Sequence, residues 1–195
     1  MSSDRLRLFI AADLPSSLLE KLDEAVAPLR SRPELETARW TRPANQHVTL
    51  RFLGWVGPGA VDQIVAAASS VAASHTPATI TLTGLGVFPS ERRARVLWVG
   101  LDDPTGVLAA LASDLDAALG PLGFEPEKRA FTPHLTLARF KPPASVAGVL
   151  FERPEVAEPA FRLDHLALYR SHLHPKGARY EALGTIPLGA RSKGS

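Results

Sequence analysis

No cysteine occurs among the 195 residues. Its absence removes disulfide scaffolds, thiolate-bound zinc or iron–sulfur clusters and thiol nucleophiles together, and makes a reducing, cytoplasmic setting the expectation. Aromatic residues are only 7% of the chain, and lysine stands only at positions 21, 128, 141, 176 and 193, so most of the positive charge is arginine. Long hydrophobic runs are missing too. The first, Leu8 to Ala12, stops at Asp13, far short of the about 20 apolar residues of a membrane-spanning helix, and no targeting segment is expected. Neither sign of charge dominates, with 22 Lys and Arg against 20 Asp and Glu. With a pI of 9.2, that balance suits a phosphate-bearing partner but lacks the strongly basic footprint of a duplex binder.

What is present is enough for one sizeable core, since a chain of roughly this length buries about 70% of its unfolded surface. Leu6 to Ala12 reads as a buried strand, and Leu18, Leu22, Val26 and Leu29 follow at helical spacing. Strands are expected over His47 to Trp55, Thr79 to Phe88, Val96 to Leu101, and near 133–140, 161–170 and 178–186. Helices are expected over Val61 to Ala73 and, with Asp103 and Pro104 as cap and first-turn residue, along the stripe Leu108, Leu111, Leu115 and Leu119. Ala190 to Ser195 is expected to be a disordered tail.

The chain also resembles itself. Arg7-Leu-Phe-Ile-Ala-Ala-Asp-Leu-Pro15 aligns with Val96-Leu-Trp-Val-Gly-Leu-Asp-Asp-Pro104, and each is followed by an amphipathic helix, a linker and a strand opening His-x-Thr-Leu. The predicted fold is therefore α+β: two pseudo-symmetric lobes, each an antiparallel sheet covered by helices, in a single domain spanning residues 1–189. A pseudo-twofold axis would set the two His-Thr strands face to face across a central cleft.

Those strands carry the sharpest motifs, His47-Val48-Thr49-Leu50 and His134-Leu135-Thr136-Leu137. In a strand, residues i and i+2 share a face, so each motif projects an imidazole beside a hydroxyl. Two imidazoles across a cleft suit acid–base hydrolysis near neutral pH, because one ring can be neutral while the other is protonated. Threonine hydroxyls between them can donate to an oxyanion, and nearby arginine would complete the electrostatics of phosphoryl transfer.

On these motifs, together with Trp40, Phe52-Leu-Gly54, Gly86-Val-Phe-Pro89, Pro133 and Arg139, the chain resembles the 2H phosphoesterase family, and within it the RNA 2′,3′-cyclic phosphodiesterase branch once called 2′-5′ RNA ligases. The resemblance implies metal-independent, cofactor-free hydrolysis of 2′,3′-cyclic phosphate ends of RNA, or of cyclic nucleotides, to 2′-phosphomonoesters. It implies His47 as proton donor to the leaving 3′ oxygen, His134 as base toward water, and Thr49 and Thr136 as holders of the nonbridging oxygens. The family's arginine, five residues after the second histidine, falls on Arg139. Strict alternation would turn Arg139 away from His134, which requires a bulge or a reach around the strand edge. A monomer free of membranes is the expected form.

Parity with His47 and Thr49 nominates Arg51 as a phosphate or backbone contact, with a solvated charge as the alternative. Arg92, Arg93, Arg95, Lys128 and Arg129 read as an RNA path or as exposed turns. His172 and His174 suit an exposed turn better than a metal site, His75 reads as surface, and His165 as a partly buried structural residue. Three rivals stay open: a relative acting on another cyclic phosphate or 2′-5′ linkage, a noncatalytic nucleotide-binding module, and a metallohydrolase using the same histidines.

Overall fold

The apolar runs form the middle strands of two sheets. In the computed structural model, which describes residues 5–149, 154–174 and 177–189, the first sheet has the order β3-β1-β8-β9 and the second β2-β6-β5-β4-β7, with every pairing antiparallel. The strands are β1 (Leu6–Ala12), β2 (Ala38–Trp40), β3 (Val48–Val56), β4 (Ala78–Phe88), β5 (Ala94–Asp102), β6 (His134–Ala144), β7 (Ala160–Leu163), β8 (His165–His172) and β9 (Arg179–Pro187). The helices are α1 (Ser16–Val26), α2 (Val61–Ala73) and α3 (Val107–Leu119). The α+β expectation holds. No helix among the described residues is long and apolar enough to cross a membrane.

Central position in each sheet follows from composition. Leu8 and Ile10 of β1 and Leu97 and Val99 of β5 are fully buried, flanked on both sides by other strands. The helices use their 3.6-residue stripes: Leu18, Leu22 and Val26 in α1, Ile64, Ala68 and Val71 in α2, and Leu108, Leu111, Leu115 and Leu119 in α3 are buried. Helices α2 and α3 pack on each other and against strands of the first sheet. Truncating one such leucine to alanine costs about 2–5 kcal/mol, so this packing fixes the sheets firmly.

Two boundaries depart from expectation. Residues 161–170 are not one strand: β7 belongs to the second sheet and β8 to the first, and the chain crosses between them at Asp164. Helix α3 begins at Val107 rather than at Pro104, because Gly106 takes a left-handed φ of +70° and ends a turn first. Asp103 still caps from outside the helix, its carboxylate accepting from the Leu108 amide at 2.8 Å.

The repeat is interlocked. β1 pairs with β3 as β5 pairs with β6, yet β4, which closes the first half of the sequence, pairs with β5, and β8 from the second half pairs with β1. Each half gives its late strands to the other's sheet, so each lobe is built from both halves.

Candidate active site

Both His-x-Thr-Leu segments end in the same irregularity. In β3, Ala11 faces Thr49 and Ile10 faces Arg51, leaving Leu50 as the extra residue. In β6, Trp98 faces Thr136 and Leu97 faces Ala138, leaving Leu137 extra. Each is the fourth residue of its motif, and each is followed by a second buried residue, Arg51 or Ala138. A one-residue bulge reverses the alternation beyond it. The side chain five positions after each histidine therefore returns to the face that carries the histidine: Phe52 in one lobe, Arg139 in the other.

A second offset in β3, between Leu8 and Phe9 of its partner strand, is accommodated by Gly54 at φ +71°. Thr49, Phe52 and Trp55 consequently share a face at three-residue spacing, opposite Ala11, Phe9 and Arg7.

His47, Thr49, His134, Thr136 and Arg139 line one cavity of about 160 Å³ between the sheets. Arg7, Phe9, Thr41, Asn45, Phe52 and Tyr180 complete its wall, so two guanidinium groups and no carboxylate face it. Among the described residues, no group of three or more His, Asp or Glu side chains is placed to hold a metal ion.

Each imidazole is held by the backbone two residues before it. Nδ1 of His134 lies 2.7 Å from the Thr132 carbonyl oxygen, and since a carbonyl only accepts, Nδ1 carries the hydrogen and Nε2 is left for the cavity. His47 makes a backbone hydrogen bond at Asn45. Burial lowers the pKa of His47 from 6.5 to about 4 despite that bond, with the charges of Arg139 and His134 adding to the depression. His134 is lowered for the same leading reason, and Arg139 again contributes.

The rings around the two histidines differ. Phe9 stacks on His47 with centroids 4.7 Å apart, and Tyr180 meets it edge-on at 5.1 Å. His134 meets Phe88 edge-on at 5.1 Å, with Trp98 at 6.2 Å. Trp98 lies directly on Gly86, where a Cβ would come within 2.1 Å of the indole, so the glycine gives the ring its place. Behind Phe9, Tyr169 stacks at 5.3 Å and donates to Asp13 at 2.8 Å. Burial pushes the Asp13 carboxyl up, and it raises Tyr169 as well.

The structure thus brings five of the six sequence-nominated residues together. Arg139 reaches the cavity because the strand bulges at Leu137. Arg51 does not. The matching bulge turns it to the opposite face, 6% exposed, where it pairs with Asp116 of α3 at 3.0 Å and Glu127 at 3.6 Å and donates to the Glu125 carbonyl. Of the expectations for Arg51, the contact it makes is to backbone, at the Glu125 carbonyl, while it lies outside the cavity wall and is not a solvated charge. His75 is not a free surface residue either, since it bridges to Asp114 of α3 at 2.8 Å. His165 is held by Asp164 at 2.6 Å and His172 by Glu181 at 2.7 Å, and Pro175 and Lys176 of the anticipated turn lie outside the described residues. Arg92, Arg93, Arg95, Lys128 and Arg129 are exposed and outside the cavity wall. Arg7, Phe9 and Tyr180 belong to segments that share in the family resemblance, but none was nominated for the site, and the fold turns all three to the cavity.

The chain is 32% identical over 179 residues to the RNA 2′,3′-cyclic phosphodiesterase of Methanothermobacter thermautotrophicus, covering 90% of this chain and 95% of that protein. It is likewise 32% identical over 179 residues to the protein of the same name from Archaeoglobus fulgidus, covering 91% and 98%. Among solved structures, E. coli LigT complexed with 3′-AMP superposes with a TM-score of 0.79 at 28% identity, over 95% of this chain and 99% of that one. The family model of the 2′-5′ RNA ligase superfamily matches residues 15–175, taking in both histidine motifs and the whole of the second sheet, and the chain belongs to that superfamily.

Proposed function

We propose that this protein hydrolyses 2′,3′-cyclic phosphate ends of RNA, or the corresponding cyclic nucleotides, to 2′-phosphomonoesters. The reading is carried by one observation: two imidazoles, two threonine hydroxyls and Arg139 converge on a single cavity without a carboxylate. Relatives named RNA 2′,3′-cyclic phosphodiesterase, matched along nearly their whole length, support it.

In this mechanism Thr49, Thr136 and Arg139 hold the nonbridging phosphate oxygens. His134 takes a proton from water as the water oxygen attacks phosphorus. The bond from phosphorus to the 3′ oxygen breaks, and that oxygen takes its proton from His47. The products are a 2′-phosphate and a free 3′-hydroxyl, with one proton moved from His47 to His134, and exchange with solvent resets the pair. A 5′-hydroxyl in place of water would give a 2′-5′ linkage. Burial lowers the pKa of both imidazoles, and the anionic substrate raises that of His47 again so that it can donate. The donor set needs no metal or other cofactor.

The five groups of this reading sit on one chain, so the reaction requires no second copy and a monomer is the form proposed, and the lack of cysteine favours the cytoplasm. Matched bulges in matched motifs favour a single bilobal domain over residues 1–189 that arose by internal duplication. The anticipated tail, 190–195, lies outside the described residues.

The test is a panel of cyclic mononucleotides, oligonucleotides ending in a 2′,3′-cyclic phosphate, and 2′-5′ linked dinucleotides, assayed with excess chelator. Turnover of the 2′,3′-cyclic ends is expected. Binding without turnover would favour a noncatalytic module, and loss of activity with chelator would favour a metallohydrolase.

A further inference from the structure

Trp55 is the most exposed aromatic residue of the described chain, at 54%, and it lies on the edge strand β3. Cross-strand partners share a face, and Trp55 is paired with Arg7, which lines the cavity. The next pair inward is Phe52 with Phe9, and the next Thr49 with Ala11. Trp55 therefore stands one rung outside the cavity on its own floor, about 6.6 Å along β1 from the Phe9 rung.

Arg7 joins the two rungs. Its guanidinium lies 4.6 Å from the centroid of Phe52 and donates to Ser171 Oγ at 3.0 Å, and no carboxylate among the described residues pairs with it. Ser171 is buried, so the group is anchored by a neutral hydroxyl and an aromatic face, both of which leave its charge unneutralised. An exposed indole, a fixed uncompensated guanidinium and a continuous path into the cavity are the parts of a single-strand platform: stacking for a base and a cation for the phosphate between bases. The +2 net charge suits a short contact of this kind rather than a long one.

We propose that Trp55 and Arg7 form a subsite for the nucleotide immediately 5′ of the cyclic end, with the penultimate base stacked on Trp55 and the linking phosphodiester held by Arg7. The inference rests on the cyclic phosphodiesterase reading. It narrows the substrate class to RNA ends of two or more nucleotides in preference to cyclic mononucleotides.

The experiment compares kcat/KM for adenosine 2′,3′-cyclic phosphate with that for a dinucleotide ending in the same group. In the wild-type protein the dinucleotide is expected to be favoured about tenfold, mainly through KM. Trp55→Ala should bring that ratio close to one, Trp55→Leu should do the same, and Trp55→Phe should restore most of it. Arg7→Gln should lower the ratio while Arg7→Lys keeps part of it. A wild-type ratio of one overturns the subsite but leaves the cyclic phosphodiesterase reading standing. Equal losses on both substrates in the Trp55 variants also overturn it, since they would mark a structural role. No turnover of either substrate overturns the reading itself and the subsite with it.

Discussion

His47 immediately precedes β3 and His134 opens β6, each held by the backbone two residues earlier and each followed by a bulge at the leucine of its motif. Their surroundings nevertheless diverge. The His47 lobe packs its imidazole flat on Phe9, buries it far enough to hold its pKa near 4, and offers Phe52 at the fifth position onward. The His134 lobe sets the edge of Phe88 and the tilted ring of Trp98 near its imidazole and offers Arg139 at that position. Common backbone irregularities with different side chains separate what the chemistry needs twice from what it needs once. The imidazole and hydroxyl are duplicated. Arg139 of the cavity wall comes from the His134 lobe, and the aromatic rings of the wall, Phe9, Phe52 and Tyr180, come from the His47 lobe.

The first way to break the comparison is to remove either histidine. Acid and base act in one transition state, so His47→Ala and His134→Ala should each lower kcat by about 10²–10⁴, and the double variant should fall little further. Single-turnover assays on one cyclic-ended oligonucleotide check this. Losses that multiply would indicate two independently acting groups.

The second compares the arginines that the two bulges sort to opposite faces. Arg139→Gln should cut kcat/KM by about 10²–10³, as loss of a charge-stabilising donor does, with the melting temperature nearly unchanged. Arg51→Met should do the reverse. Leaving Asp116 and the Glu125 carbonyl without their buried partner should cost about 2 kcal/mol, a fall of roughly 4–8 °C in a chain of this size. Calorimetry and initial rates on both variants separate the two outcomes.

Those arginines also mark the limit of what the sequence tells. The two motifs, their duplication, the central strands and the helix stripes were legible because hydrophobic period and residue type alone determine them. Pairing within each lobe was legible from the repeat, but the exchange of late strands was not. Asp164 sits inside an otherwise continuous alternating run, and only sheet closure makes it a crossing point. The bulges were legible in one copy only, where the resemblance demanded an arginine that alternation forbade. The same conflict was invisible at Arg51, since parity with His47 agreed with a functional role. Phe9 read as core, and it becomes a wall residue because it stacks on a histidine distant in sequence.

A further test concerns pH and sharpens the contrast between the imidazoles. The folded pKa of His47 lies below its unfolded value of 6.5, so unfolding takes up a proton between about pH 4 and 6.5. Stability should be full above pH 6.5 and should decline as the pH falls through that window. His47→Asn should flatten the decline more than His134→Asn, as followed by denaturant unfolding at several pH values.

The central claim is that one histidine from each lobe opens a cyclic phosphate toward the 3′ oxygen. Phosphorus NMR of the product formed from an RNA end bearing a 2′,3′-cyclic phosphate tests it most directly. A 2′-phosphate as the sole product, lost in both histidine variants, is the predicted result. A 3′-phosphate, a mixture of the two, or an unaltered cyclic end would contradict it.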